Sequence, residues 1–256
     1  MCLILLALRA HPVYKLIMAA NRDEFYDRPT APASFWSESP HILGGRDLRA
    51  GGTWLGITRR GRIAAITNYR DPASLKPHAP SRGRLVSRFL QGHGTTEEYL
   101  AKLESKAHEY NGFNIVVGER DRLYWYSNRG HGVRVLEPGI YGVSNHLIDT
   151  PWPKVLRGKA ALRKILSREE DPSRGALFSM LLDQSVPEDE DLPDTGVGIQ
   201  WERILSPVFI SSRDYGTRSS TVVLIHQDDH VTFIERTYYS GQRTHREVSF
   251  NFQITA

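Results

Sequence analysis

Sulfur chemistry is nearly absent from this chain: 256 residues hold one cysteine, Cys2. A lone cysteine closes no internal disulfide, so crosslinks contribute nothing to stability and the composition fits a reducing compartment. The cytoplasm is the expected location. No stretch approaches the ~18 consecutive apolar residues of a spanning helix, so no integral membrane segment is expected. The short apolar run from Leu3 to Leu8 lacks a preceding basic region and is closed by Arg9, unlike a secretory signal. A formal charge of +4 arises from 33 Lys and Arg scattered among 29 Asp and Glu, without a basic run, so nucleic acid is not an expected partner. HExxH and paired-cysteine motifs are missing as well. His226 and His230 stand four apart, but they flank a Gln227-Asp228-Asp229 turn between strands, where helical spacing has no meaning. No metal site and no cofactor are expected. Internal repeats and low-complexity tracts are also lacking, and residues 1–256 read as one domain.

What is present is apolar alternation broken by turn signals, the pattern of many antiparallel strands. Cys2 to Leu8 and Val13 to Ala20 predict a hairpin whose second arm delivers Asn21-Arg22-Asp23-Glu24 to the sheet end nearest the start of the chain. Further strands are expected at Thr53 to Thr58, Ile63 to Thr67, Asn114 to Val117, Leu123 to Tyr126, Val133 to Leu136, Tyr141 to Val143, Ser220 to His226, Val231 to Arg236 and Glu247 to Ile254. Helices fall in two blocks, Leu85 to Gln91 with Thr96 to Tyr110, and Lys154 to Leu166 with Ser173 to Leu182. Thr95 and Glu98 form a capping box, and Pro153 suits a helix start. Because helices interrupt strands in blocks, the class is α+β with layered packing rather than a doubly wound sheet. The polar stretch Pro187 to Gly198 reads as a surface loop. Gly44-Gly45 and Gly51-Gly52 look like phosphate loops, yet a strand follows them, so they read as turn glycines.

Cys2 carries two readings. A cysteine opening an apolar strand is ordinarily packing. Its position adds the other: aminopeptidases remove Met1 when a small residue follows, leaving a thiol and a free amine on one residue. An α-amine with pKa near ~8 is partly neutral at physiological pH and can take the thiol proton. Such a nucleophile needs positive charge to favour the thiolate, amide donors for an oxyanion, and a group that holds the amine. Polar residues recur where strands end: Asn21 to Glu24, Asn68, Asn111 with Asn114, Ser144-Asn145, and Tyr215 to Arg218.

The series Asn21-Arg22-Asp23-Glu24, Gly51-Gly52-Thr53-Trp54-Leu55-Gly56, Thr67-Asn68-Tyr69, Tyr110-Asn111-Gly112-Phe113-Asn114, Tyr141 to Asn145 with Thr150-Pro151-Trp152, and Tyr215-Gly216-Thr217-Arg218 resembles the transport and Golgi organisation protein 2 family, or NRDE proteins. That family is similar in fold to N-terminal nucleophile (Ntn) hydrolases, which implies a four-layer αββα sandwich of two antiparallel sheets. It looks most like the branch of penicillin V acylase, bile salt hydrolase and acyl-CoA:6-aminopenicillanate acyltransferases. The resemblance implies that Cys2 attacks an amide or thioester carbonyl, Asn145 and Asn68 stabilise the oxyanion, Asp23 orients the amine, and Arg22 and Arg218 bias the thiol towards thiolate. Asn21, Trp54, Tyr69 and Asn111 are the expected substrate-binding residues. The acylase branch separates its arginine and aspartate by two residues, whereas Arg22 and Asp23 are adjacent. Neighbours on a regular strand face opposite ways, so one of the two faces Cys2, and Asn21 shares Asp23's face. The family's links to lipid and acyl-CoA metabolism, organelle organisation and haem trafficking supply a competing expectation. Either the chain is an Ntn-type cysteine amidohydrolase or acyltransferase acting on a small acylated compound, or it binds haem or an acyl lipid without turnover.

Overall fold

The computed structural model describes residues 2–168, 172–239 and 244–255. Its strands are β1 (Cys2–Leu8), β2 (Tyr14–Phe25), β3 (Thr30–Trp36), β4 (Ser39–Asp47), β5 (Leu55–Thr58), β6 (Arg62–Asn68) and β7 (Phe113–Glu119). They continue as β8 (Arg122–Ser127), β9 (Arg134–Val135), β10 (Gly139–Val143), β11 (Tyr215–His226), β12 (His230–Tyr238) and β13 (His245–Gln253). All pair antiparallel, in one sheet ordered β10-β1-β2-β11-β12-β13 and another ordered β3-β4-β5-β6-β7-β8-β9. The helices are α1 (Gly83–Gln91), α2 (Thr96–Lys106), α3 (Pro153–Arg168), α4 (Arg174–Leu181) and α5 (Ile199–Leu205).

Period two explains how one strand serves two layers. Ile4, Leu6 and Leu8 of β1 pack with Leu16 and Met18 of β2 against Leu55, Ile57 and Val116 of the opposite sheet. The alternate residues Leu3, Leu5, Ala7, Ile17 and Ala19 meet Val155 and Leu162 of α3 and Leu177 of α4. Since both faces are buried, these strands read as nearly continuous apolar runs. On the far side, Phe89 of α1 and Leu100 and Leu103 of α2 cover Ala64, Ile115 and Val117. The result is the expected α+β arrangement of helices, sheet, sheet and helices. Thr95 and Glu98 form both halves of the capping box at α2. Among the described residues, no helix is long and apolar enough to cross a membrane.

Several elements differ from expectation. The hairpin β3-β4 is additional, and so is α5 beyond the Pro187 to Gly198 segment. Strand β2 runs on through the Asn21 to Glu24 motif instead of ending before it. Gly44 and Gly45 are not turn residues: both lie inside β4, and a Cβ on Gly45 would sit 2.3 Å from the Trp54 ring. Gly51, at φ +72°, does occupy the left-handed region that favours glycine. In β11 the pairing to β2 shifts between Thr217 and Ser219, which leaves Arg218 as a bulge residue.

Candidate active site

The β1-β2 register sets Cys2 opposite Arg22 and Leu3 opposite Asn21. Ile4 and Met18 fix which face is which: Cys2 and Arg22 point between the sheets, while Asn21 and Asp23 take the helix-covered face. Cys2, Arg22, Asp23 and Glu24 border a cavity of about 310 Å³, closed on the opposite side by Thr53, Trp54, Ile66, Asn68 and the segment from Ala79 to Gly83.

Arg22 is held deep, at 5% exposure, with its guanidinium 4.3 Å from the Trp54 ring centroid. Its Nη1 donates to Thr30 Oγ1 at 3.3 Å, and the Glu24 carboxylate lies 3.8 Å away. Trp54 reaches this position because Gly45 has no side chain in its path. At the rim Arg28 donates through Nη2 (2.6 Å) and Nε (3.1 Å) to Asp47. Burial pushes the Asp47 carboxyl up, but Arg28 and the amides of Ala50 and Arg49 outweigh it and hold the group below the usual carboxylate range.

A third cavity arginine has no counterpart among the expected residues. Arg82 precedes α1 and donates from Nη1 to the Gly112 carbonyl at 2.9 Å. Burial lowers its pKa, and the charge that most favours its ionised form is that of Cys2, followed by Glu24. Arg82 arrives here through backbone contact. Thr53 N–H donates to the Gly83 carbonyl at 3.2 Å, and a Cβ on Gly52 would lie 2.4 Å from the Gly83 carbonyl carbon. The Gly51-Gly52 pair therefore serves the site by letting two chain segments touch.

Burial, joined by the Asp23 charge, pushes the Cys2 thiol above its ordinary range, more than the Asp23 backbone N–H and the Arg22 charge pull it down. Cys2 is half-buried at the cavity border, and the protein around its sulfur disfavours a charge there. Met1, whose removal a nucleophilic Cys2 requires, lies outside the described residues.

Other expected site residues stand elsewhere. Arg218 projects from the bulge, and its Nη1 donates to the carbonyls of Phe25 (2.8 Å), Tyr26 (3.1 Å) and Arg28 (3.1 Å), so it holds the loop after β2 and lines no part of the cavity. Asn21 also stands off the cavity. Its Nδ2 donates to the carbonyls of Leu181 and Val208, both at 2.8 Å, and its Oδ1 accepts from Ser220 Oγ at 2.6 Å. Tyr69 stacks on His146, centroid to centroid 4.8 Å, outside the cavity wall. Asn111 does border the cavity, but its amide closes on the Lys76 main chain at 2.7 and 3.1 Å. Asn145 is fully buried behind the wall, where its Nδ2 donates to the Asn68 carbonyl at 3.0 Å. Asn68 itself borders the cavity.

Comparison with known proteins now places the chain. The family model described as Transport and Golgi organisation 2 matches residues 1–240. The chain belongs to this family. Relatives named Transport and Golgi organization protein 2 homolog in Bos taurus and Transport and Golgi organization 2 homolog in Mus musculus are 39% and 40% identical; the matches cover 97% and 93% of this chain and equal shares of theirs. The Drosophila melanogaster Transport and Golgi organization protein 2 is 29% identical, over 98% of this chain and 99% of its own. These names state no reaction. Among solved structures, a cysteine-to-alanine mutant of the conjugated bile acid hydrolase from Clostridium perfringens superposes with a TM-score of 0.54, covering 100% of this chain and 97% of that one at 7% identity. At that identity the likeness shows the fold alone, an Ntn-hydrolase-like sandwich of two antiparallel sheets.

Proposed function

We propose that the protein is an N-terminal-nucleophile cysteine amidohydrolase or acyltransferase acting on a small acylated compound. The observation that carries this reading is a juxtaposition: the one cysteine of the chain borders the cavity directly opposite Arg22 in the β1-β2 ladder. The shared fold with a conjugated bile acid hydrolase supports it. A volume of about 310 Å³ fits a small ligand.

On this reading Met1 is removed and the freed α-amine takes the Cys2 thiol proton. The sulfur attacks the acyl carbonyl, an S–C bond forms, and the carbonyl oxygen becomes an oxyanion. Asn68 is the side-chain donor at the wall that can meet this charge, with Asn145 fixing its main chain. As the C–N bond breaks, the leaving amine receives the proton held on the α-ammonium. A water or an acceptor amine then attacks the thioester carbonyl and gives its proton to the α-amine; the S–C bond breaks, the acid or new amide leaves, and the thiolate takes that proton back as the thiol. Arg22 and Arg82 supply positive charge near the sulfur, and Asp23 holds the amine.

A second reading is binding without turnover, of an acyl lipid or haem. The observation that favours it is the direction of the Cys2 pKa, since a protonated thiol is a poor nucleophile. For haem, Cys2 is the residue of the cavity wall that would hold the iron, since no histidine lines the cavity among the described residues.

Intact-mass measurement of the purified protein after treatment with an activated acyl ester separates the two. Catalysis requires absence of Met1 and one added acyl group that is lost in Cys2→Ala. Retained Met1, or no adduct at Cys2, overturns it. A haem titration without a Soret shift removes haem, and an equal shift in Cys2→Ala removes Cys2 as its ligand.

A further inference from the structure

Arg22, Arg28 and Arg82 all border the cavity beside Cys2, and the protein satisfies the first two. Arg28 donates to Asp47 through two nitrogens and lies 3.6 Å from the Glu24 carboxylate. Arg22 lies over the Trp54 ring, donates to Thr30 Oγ1, and has Glu24 3.8 Å away. These contacts engage the Glu24 and Asp47 carboxylates, while Asp23 turns its own to the helix-covered face, where Thr217 Oγ1 donates to it.

Arg82 differs. Its Nη1 donates to the Gly112 carbonyl at 2.9 Å, and among the described residues no carboxylate pairs with it, no ring stacks on it and no acceptor meets Nε or Nη2. The residue is half-buried, yet neither of those nitrogens is closed off from solvent. One edge of the guanidinium is thus pinned and the other is open. Helix α1, which follows, brings no acid in its first turn. The close approach of Gly52 to Gly83 fixes the main chain next to Arg82, so little freedom remains to be lost when a ligand binds. Trp54, Ile66, Ala79 and Pro80 give the same cavity an apolar wall.

We propose that the open edge of the Arg82 guanidinium is an anion-binding subsite, and that the small acylated compound of the Cys2 cavity carries an oxyanion group, a carboxylate or a phosphate, that docks there. A planar fork of N–H donors fits two oxygens of either group, and charge-assisted bonds of this kind are the strong ones. The apolar remainder of the compound meets Trp54 and Ile66. Calling this ligand a substrate rests on the hydrolase reading given above; its binding does not.

The test compares two reagents of nearly equal shape, anionic iodoacetate and neutral iodoacetamide, for alkylation of Cys2. Because the chain has one cysteine, both report a single thiol, and neither reaction uses the α-amine. Wild type is expected to favour iodoacetate over iodoacetamide by more than free cysteine does in the same buffer. In Arg82→Gln that preference is expected to fall by ~10-fold, the size of one charge-assisted hydrogen bond, beyond any slowing common to both reagents. Arg82→Lys, a point charge without the fork, is expected to fall between the two and carries the test should Arg82→Gln not fold. Arg218→Gln loses the same charge away from the cavity and keeps the wild-type preference. At constant ionic strength, succinate or inorganic phosphate protects the thiol from iodoacetamide in wild type and not in Arg82→Gln, and whichever protects identifies the group. The proposal is overturned if the preference in folded Arg82 variants matches the wild type, or if neither anion protects. Acylation by p-nitrophenyl hemisuccinate and p-nitrophenyl acetate separates it from the reading beneath. If wild type lacking Met1 takes no acyl group from either ester, the hydrolase reading fails and an anion-binding cavity remains; acylation without an Arg82-dependent preference for the anionic ester sinks the subsite alone.

Discussion

Replacing Glu235 by glutamine is expected to stabilise the protein at and above neutral pH. Glu235 lies on β12 between the sheets at 1% exposure, where Oε1 accepts from Ala33 N at 2.7 Å and Oε2 from Thr221 Oγ1 at 3.4 Å. Burial raises its carboxyl from 4.5 to about 7, against the lowering effects of the Ala33 amide, Thr221 and Arg22. Between these values the native state keeps a proton that the unfolded chain has released. Stability therefore declines as pH rises through that window and stays lost above about 7. At ~1.36 kcal/mol per pKa unit, the displacement corresponds to about 3 kcal/mol. Glutamine retains the acceptor for Ala33 and presents an amide to Thr221, whose hydroxyl turns to accept. Urea unfolding of both proteins should coincide near about pH 4.5 and diverge by up to about 3 kcal/mol above about pH 7, with unchanged m-value. Parallel stability profiles, or a less stable variant at alkaline pH, would refute the reasoning. Because Arg22 is the cation that Glu235 feels, the variant should also alkylate faster at Cys2 above neutrality.

Arg82→Gln removes a cavity charge and is expected to slow Cys2 alkylation by about 3-fold to 10-fold near neutral pH, whereas Arg218→Gln leaves the rate per folded molecule unchanged. Gly45→Ala should lose about 1–3 kcal/mol in thermal unfolding, because its Cβ at 2.3 Å displaces the Trp54 ring that covers Arg22. Asn21→Ala strands two carbonyls and the Ser220 hydroxyl, a loss of roughly 2–4 kcal/mol, with the Cys2 alkylation rate of the folded protein unaltered.

The layered architecture was legible because alternation and block order survive in most strands, and the Thr95 and Glu98 side chains announce α2 locally. Strands β3 and β4 were hidden. Pro32 and Pro40 interrupt them, and register shifts after Ala31 and Phe35 break the alternation; as a sheet edge, β3 tolerates proline. Helix α5 is short, and Gly198 before it, at φ +83°, reads as a loop. Within the site, Cys2, Arg22 and Asn68 were legible from a motif at a strand end. Arg82 was not, since its place depends on Gly52 touching Gly83, a contact between segments about thirty residues apart that carries no periodic signal. Asn21 and Arg218 stand off the cavity for a shared reason: a polar side chain at a strand end also satisfies buried main-chain carbonyls.

The adjacency of Arg22 and Asp23 departs less from the acylase pattern than its spacing implies. On a strand, parity decides the face: two intervening residues or none both put an arginine and an aspartate on opposite sides. The pair thus divides labour between layers. Arg22 serves the cavity beside Trp54 and Cys2, and Asp23 is buried on the helix-covered side, where it accepts from Thr217 Oγ1 and feels the positive charge of Lys154 at the start of α3. This assignment is testable by exchange, because Arg22→Asp with Asp23→Arg keeps net charge and composition. It sets a guanidinium against Lys154 and a carboxylate against an indole face, each buried without its partner. An uncompensated buried charge costs about 3–5 kcal/mol, so the exchanged chain should unfold far more readily in a thermal melt. A melt matching wild type would mean that charge count, and not the face each residue occupies, is what the fold requires at this point of β2.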